Sequence, residues 1–379
     1  MNSRERVSAA LNHQESDRVP IHDSLWASTV DRWRREGAPA TVSLAEYFDY
    51  DMVSFGGDVS PRFPVRTVSE DDECVIETTP YGGLRRNRKD YASVPEWLEF
   101  PCDSRTDWER IKERLIPSRY RIDWEGDQPI VGLSHDERED SLQVGARAEW
   151  RVGLEGCKRA RAAGKFVCYT APIGFGHIHQ AYVGTERLLI AVATEPEWVI
   201  DMYETNADLV IANYEMMVDG GFVFDGVFLA CDLGYRSGTF FSPRHFEEQL
   251  HPTFERLFGY FGSKGLPVIL HSDGRILEFV PYLVKEGLTC LNPLEVKAGM
   301  DVIALKREFG DRLAFMGGID VRAMADPDPS VIEEEIKSKI PFAKRGGGYI
   351  YHSDHSVPNN VSFQRYCRVL ELVKRYGVY

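Results

Sequence analysis

After residue 164, a short apolar run followed by an amphipathic helical pattern recurs at least six times, and this alternation constrains the fold more than any other feature. The runs cover 166–169, 227–230, 268–270, 289–291, 313–316 and 349–351. Each is too short for a helix and suits a buried strand. Strands alternating with helices on short connections imply a parallel sheet with right-handed crossovers. An open doubly wound sheet and a closed (β/α)8 TIM barrel both satisfy that pattern. The number of units, the 379-residue length and the lack of a Gly-x-Gly-x-x-Gly turn favour the barrel, read as one domain over 1–379.

The N-terminal part is less regular. Helices are expected over 3–13 and 28–37, and a strand over 51–55 closed by Gly56-Gly57. Residues 74–79 and 84–89 flank Pro80-Tyr81-Gly82-Gly83, a β-hairpin signal read as an insertion. A charged helical stretch over 100–127 and a strand over 129–133 follow. Residues 174–179 (GFGHIH) read as a Gly-rich loop, then come helices over 185–219, 331–344 and 361–376. Another helix is expected from Arg275 to Lys285, and Ser242-Pro243 opens one with a capping serine and proline at its first position.

The formal charge is −14, which opposes attraction to nucleic acid or an anionic membrane and leaves a small molecule or a protein as the expected partner. No uncharged run approaches the roughly 18 residues a bilayer demands. Met1 to Arg6 leads straight into an amphipathic pattern with no apolar signal core, and the seven scattered cysteines contain no Cys-x-x-Cys. A reduced, cytoplasmic chain is expected.

In parallel α/β proteins function sits at the carboxyl ends of the strands. Five consecutive strand ends here deliver His, Asp, Glu or Cys: Cys231 and Asp232, His271 and Asp273, Glu295, Asp320, then His352, Asp354 and His355. Residues i and i+2 of a strand face one side, so His271 and Asp273 can bind one ion such as Zn²⁺, with Glu295 and Asp354 as further ligands. Asp232 and Asp320 suit a structural or substrate-hydrogen-bonding role as well as a catalytic one. His177 and His179 offer a substrate contact or an alternative metal site, and Tyr235 with Phe240-Phe241 is expected to roof a pocket. His13, His245 and His251 fall on predicted helices as packing or solvated residues.

Taken in order, several segments resemble the uroporphyrinogen decarboxylase superfamily. They are Arg4-Glu5-Arg6-Val7, Asp17-Arg18-Val19-Pro20, Asp232-Leu233-Gly234, Phe241-Ser242-Pro243, His271-Ser272-Asp273-Gly274, Gly317-Gly318-Ile319-Asp320 and Asp354-His355-Ser356-Val357-Pro358. The resemblance implies a (β/α)8 barrel with its site at the carboxyl rim, and it makes a homodimer plausible. True decarboxylases of that superfamily carry an Arg-Gln-Ala-Gly-Arg motif after the first strand, where this chain reads Ile21-His22-Asp23-Ser24-Leu25-Trp26. The resemblance is closer to the cobalamin-dependent methyltransferase branch, whose zinc is held by His-x-Cys and a later Cys. His271 matches that His, and Asp273 and Asp354 take the thiolate positions. Oxygen ligands leave a harder Lewis acid suited to an ether, alcohol or amine.

The resemblance therefore implies zinc, a methyl donor such as a methoxylated aromatic, and a cobalamin (corrinoid) carried by a partner protein. His355 or His352 would supply a proton, with Asp232 beside them. The alternatives are a uroporphyrinogen decarboxylase-like lyase acting on a tetrapyrrole or a smaller carboxylic acid, and a non-catalytic barrel that binds a small molecule. An aspartate in place of each thiolate also leaves open that no metal is held.

Overall fold

The computed structural model describes residues 1–90, 94–117, 131–133, 147–148 and 150–379. Its principal sheet runs through strands β1 (Met52–Gly57), β2 (Phe166–Pro172), β3 (Gly226–Ala230), β4 (Val268–His271), β5 (Cys290–Asn292), β6 (Ala314–Met316) and β7 (Tyr349–Ile350), each parallel to the next. The ring closes through the segment around Ile21. Tyr351 N–H donates to Pro20 O (2.9 Å) and His22 N–H to Tyr351 O (3.1 Å), while Asp51 N–H donates to Ile21 O (2.7 Å). The fold is the expected (β/α)8 barrel.

Period-two alternation divides each strand between two interiors. Val227 and Leu229 of β3 pack outward against helices. Met52, Phe166, Cys168, Ile269, Cys290, Ala314, Met316 and Ile350 fill the lumen, together with Val7, Ala10 and Leu11 of helix α1 (Ser3–Leu11). Helix α1 therefore plugs the amino-terminal end of the barrel. Asp51, fully buried there, accepts from Arg6 Nη1 (2.7 Å), Arg18 Nη1 (2.9 Å) and the Ile21 amide (2.6 Å). That carboxylate ties the plug, the closing segment and β1 together. With this end sealed, the carboxyl rim is the end open to a ligand.

Several expectations are corrected. The Gly-rich loop is helical: Gly174–Ile178 continues into a wider turn, His179–Val183. Its glycines are there for contact, since a Cβ on Gly176 would lie 2.4 Å from the Asp232 amide nitrogen. The long helix over 185–219 is two, Thr185–Thr194 and Pro196–Asp219, because a residue before proline is pushed out of helical geometry. The helix expected from Arg275 begins only at Val280. Within 100–127, Arg105–Lys112 is helical, and 118–127 lies outside the described residues. Of the strand at 129–133, the described part, Val131–Leu133, is an antiparallel neighbour of β1.

The hairpin is present as Cys74–Thr78 with Leu84–Arg88, inside a four-stranded antiparallel sheet with Thr67–Glu70 and Glu96–Glu99. Tyr81, in the turn of that hairpin, packs edge-on against His177 and Tyr182, so the insertion leans on the rim beside Asp232. Among the described residues, no helix is long and apolar enough to cross a membrane.

Candidate active site

Three side chains from adjacent strand ends converge on the carboxyl rim. Asp232 follows β3, His271 ends β4, and Asp273 lies two residues further. Each offers a ligand atom, and these atoms lie within 4.8 Å of one another. Between them, Ser272 turns away: its Oγ accepts from the Leu233 amide (3.0 Å) and its own amide donates to Asn292 O (2.8 Å). That lock keeps His271 and Asp273 on one face. Gly274, at φ +84°, then turns the chain where a Cβ would sit 2.2 Å from the Gly234 carbonyl carbon.

The His271 ring is oriented by Asn292. Asn292 Nδ2 donates to Met316 O (3.1 Å), which turns its Oδ1 toward His271 Nδ1 at 2.8 Å. The Nδ1–H is thereby assigned, and Nε2 faces Asp273 Oδ2 (3.6 Å) and Asp232 Oδ1 (3.9 Å). Asp232 Oδ1 also accepts from the Asp273 amide (3.0 Å), and its Oδ2 accepts from Gln180 Nε2 (2.8 Å). Asp273 Oδ1 is buried with no hydrogen-bond partner. His355 Nε2 lies 3.5 Å from Asp273 Oδ2, and its ring stacks on Trp26.

Electrostatics follow from this crowding. Burial alone would lower the pKa of His271, but Asp273 and Asp232 outweigh it and push it up to about 9. Burial, and then the charge of Asp273, raises Asp232. Burial would raise Asp273 as well, yet His271, followed by His355 and Lys297, holds that carboxyl below its ordinary range.

The other expected ligands point elsewhere. Glu295 Oε2 accepts from the Gly274 amide (2.7 Å) and Oε1 pairs with Lys297 (2.8 Å). Asp354 spends both oxygens on amides, those of Val321 and Val296, each at 2.9 Å. Burial, only partly offset by those amides, pushes Asp354 up to about 6. Both carboxylates anchor rim loops, and Asp232 takes the place foreseen for them beside His271. Asp320 caps the helix Val321–Ala325 and pairs with Arg322 (2.7 Å).

Tyr235 is exposed in a small hairpin, Gly234–Tyr235 with Gly238–Thr239, against Phe240. His177 and His179 are buried, each with an unpartnered Nε2. Burial lowers them to about 3 and about 4. His352 is buried and faces Ser24 rather than the Asp273 cluster, and burial lowers its pKa despite the nearby Asp23. Asn292 and Gln180 escaped the sequence reading. Asn292 ends a strand as the others do, but a neutral amide carries no catalytic or metal-ligand signal in sequence.

The uroporphyrinogen decarboxylase (URO-D) family model matches residues 178–376, more than half of the chain. The chain belongs to the uroporphyrinogen decarboxylase family. The matched span holds Asp232, His271, Asp273 and His355. A protein of Bacillus cereus (strain AH820) named uroporphyrinogen decarboxylase is 30% identical over 131 residues, 34% of this chain and 35% of that relative. The match thus spans about a third of the curated relative's length. A methyltransferase from Methanosarcina mazei shares the fold over 99% of both chains, with a TM-score of 0.62 and 17% identity.

Proposed function

We propose that this chain is a zinc-dependent methyltransferase that moves a methyl group from a small O- or N-methylated compound, such as a methoxylated aromatic, to a corrinoid carried by a partner protein. One observation carries the reading. His271 Nε2, Asp232 and Asp273 converge at the rim, with the His271 tautomer set by Asn292 and Asp273 Oδ1 buried without a partner.

A buried carboxylate oxygen with no donor is costly unless a cation takes it. A ring nitrogen turned inward, its other N–H bonded to an amide oxygen, is the usual setting of a ligating histidine. The residues fit the metal, held by His271, Asp273 and Asp232. Bound there, Zn²⁺ would polarise the substrate heteroatom and stabilise charge on it as the methyl group departs. Gln180 fixes Asp232, and Glu295 fixes the turn that carries Asp273. His355, next to Asp273 and stacked on Trp26, is placed to give or take the proton of that heteroatom.

The chain's own rim residues argue against a substrate with many carboxylates. Asp232 and Asp273 would repel it, and the residues after the closing segment are His22, Asp23, Ser24 and Trp26. The test is zinc content of the purified protein, followed by methyl transfer from a panel of methoxylated and N-methylated aromatics to free cob(I)alamin. Stoichiometric zinc that His271→Ala removes, together with methylcobalamin formed only by the unaltered chain, supports the reading. A protein that takes up no zinc under any preparation overturns it.

A further inference from the structure

A second chemical constellation lies beside the first and shares none of its residues. Ser24, in the loop after the closing segment, is half-buried, with its Oγ 3.2 Å from His352 Nε2. His352 is 2% exposed, and its Nδ1 lies 2.6 Å from Ser353 O. A carbonyl only accepts, so Nδ1 carries the proton, and the lone pair of Nε2 is aimed at the Ser24 hydroxyl. Asp23 Oδ1 stands 3.7 Å from the same Nδ1.

Asp23 is fully buried, and among the described ion pairs no lysine or arginine meets it. It is held by neutral donors instead. Its Oδ1 accepts from the Ser24 amide (3.0 Å), the Ser353 amide (3.2 Å) and the Ser353 hydroxyl. Its Oδ2 accepts from Tyr366 Oη (2.8 Å) and Tyr351 Oη (3.3 Å). A buried carboxyl group is expensive unless its oxygens are hydrogen-bonded, and five donors meet this one. The fold thus places a firmly held carboxyl group behind a histidine that faces a hydroxyl. A nine-residue helix, Ala27–Arg35, starts three residues after Ser24, which sets the positive end of its dipole near that hydroxyl.

We propose that Ser24, His352 and Asp23 form a metal-independent nucleophilic site, in which Ser24 attacks small activated carboxylic or phosphonic esters. In the first half-reaction the Ser24 O–H bond breaks and its proton passes to His352 Nε2. An Oγ–C (or Oγ–P) bond forms, and the ester's alkoxide leaves with the proton returned by His352. Water, deprotonated by the same nitrogen, then releases the acyl group from a carboxylic ester. Asp23 is a positioning residue: it holds the ring and stabilises the imidazolium formed in transit.

The inference goes beyond the methyl-transfer reading and does not depend on it. The test uses the full-length protein with a fluorophosphonate, which expels fluoride and leaves a stable phosphonyl adduct. Intact mass and peptide mapping should place one adduct on Ser24, at the same rate with or without EDTA. His352→Gln should slow labelling by about 100-fold or more, the scale of a general base. Asp23→Asn serves as a second variant if His352→Gln fails to fold, with labelling again slowed. No adduct on the folded chain, an adduct elsewhere that survives Ser24→Ala, or labelling of Ser24 at an undiminished rate in a folded His352→Gln overturns the proposal. Zinc loss or inactivity in methyl transfer leaves these outcomes untouched, so failure of one reading does not imitate failure of the other.

Discussion

Asn292 Oδ1 receives the Nδ1–H of His271 at 2.8 Å while its own amide nitrogen donates to Met316 O, so one buried amide sets both the tautomer and the direction of the His271 ring. Supports of this kind are worth roughly 10–100-fold in metal affinity. Asn292→Ala is therefore expected to weaken zinc binding by that factor, measured by competition with a chromophoric chelator. Affinity within about twofold of the parent would show that the ring is held by packing alone.

The geometry separates carboxylates that face His271 from carboxylates that brace loops. Asp232→Asn should cost more than 100-fold in zinc affinity, because it removes charge next to the histidine nitrogen. Glu295→Gln should cost under about 10-fold, the range of an outer support, since glutamine still offers an oxygen to the Gly274 amide. The same competition titration decides it. The reverse order would restore Glu295 as a ligand.

Much of this architecture was legible in the chain. The strands from 166 onward announce themselves because both of their faces are buried, so they read as short apolar runs. His271-Ser272-Asp273-Gly274 was legible too, since a polar i, i+2 pair at a strand end has few structural uses. What stayed hidden is which carboxylate spends its oxygens where. Asp232, Glu295 and Asp354 look alike as letters, and only the folded loops reveal that Gly274, Val296 and Val321 present amides to be satisfied. Gly174 and Gly176 misled for a related reason: glycine marks a loop in sequence, and here Gly176 lets a helix press onto the backbone of Cys231 and Asp232, while Gly174 opens that helix at φ +54° against the Leu250 side chain.

Gly274 combines a left-handed backbone with direct backbone contact, and no L side chain fits there. Gly274→Ala adds about 1–2 kcal/mol of conformational cost to a clash with the Gly234 carbonyl. A total loss of about 2–4 kcal/mol in urea unfolding is expected, in the range of severe single substitutions. It should come with loss of zinc binding, because the turn carries Asp273.

Glu286 gives the chain a pH dependence remote from the rim. Burial, with a smaller push from Glu255, raises its pKa from 4.5 to about 9, and its side chain contacts His251 Nδ1. The folded state keeps the proton between pH 4.5 and 9, whereas the unfolded chain releases it. Stability therefore falls as pH rises through that window, by up to about 1.4 kcal/mol per unit. Glu286→Gln cannot ionise and should remove the slope, so urea midpoints of the two proteins should diverge from pH 5 to pH 9. Parallel midpoints would mean instead that Glu286 is already ionised in the folded protein.

At the sealed end of the barrel, Asp51 joins Arg6 of α1, Arg18 and the Ile21 amide, with no exposure of its own. Replacing it takes the buried carboxylate from two guanidinium groups: Arg6, itself buried, keeps its bonds to Asp17 and the Met1 carbonyl, and Arg18 keeps the Val19 carbonyl. Breaking a buried pair by removing one partner costs about 3–5 kcal/mol. Asp51→Ala should lose that much by urea denaturation and free α1 for early proteolysis, whereas Asp17→Ala, at the half-exposed edge of the same network, should lose about 1 kcal/mol or less. The contrast has a mechanical origin. Asp51 links three chain segments that close the ring of strands, whereas Asp17, half-exposed, holds Arg6, the Met1 amino group and the neighbouring Arg18 amide. Equal losses for the two variants would show that Arg6, rather than the shared carboxylate, holds the plug in place.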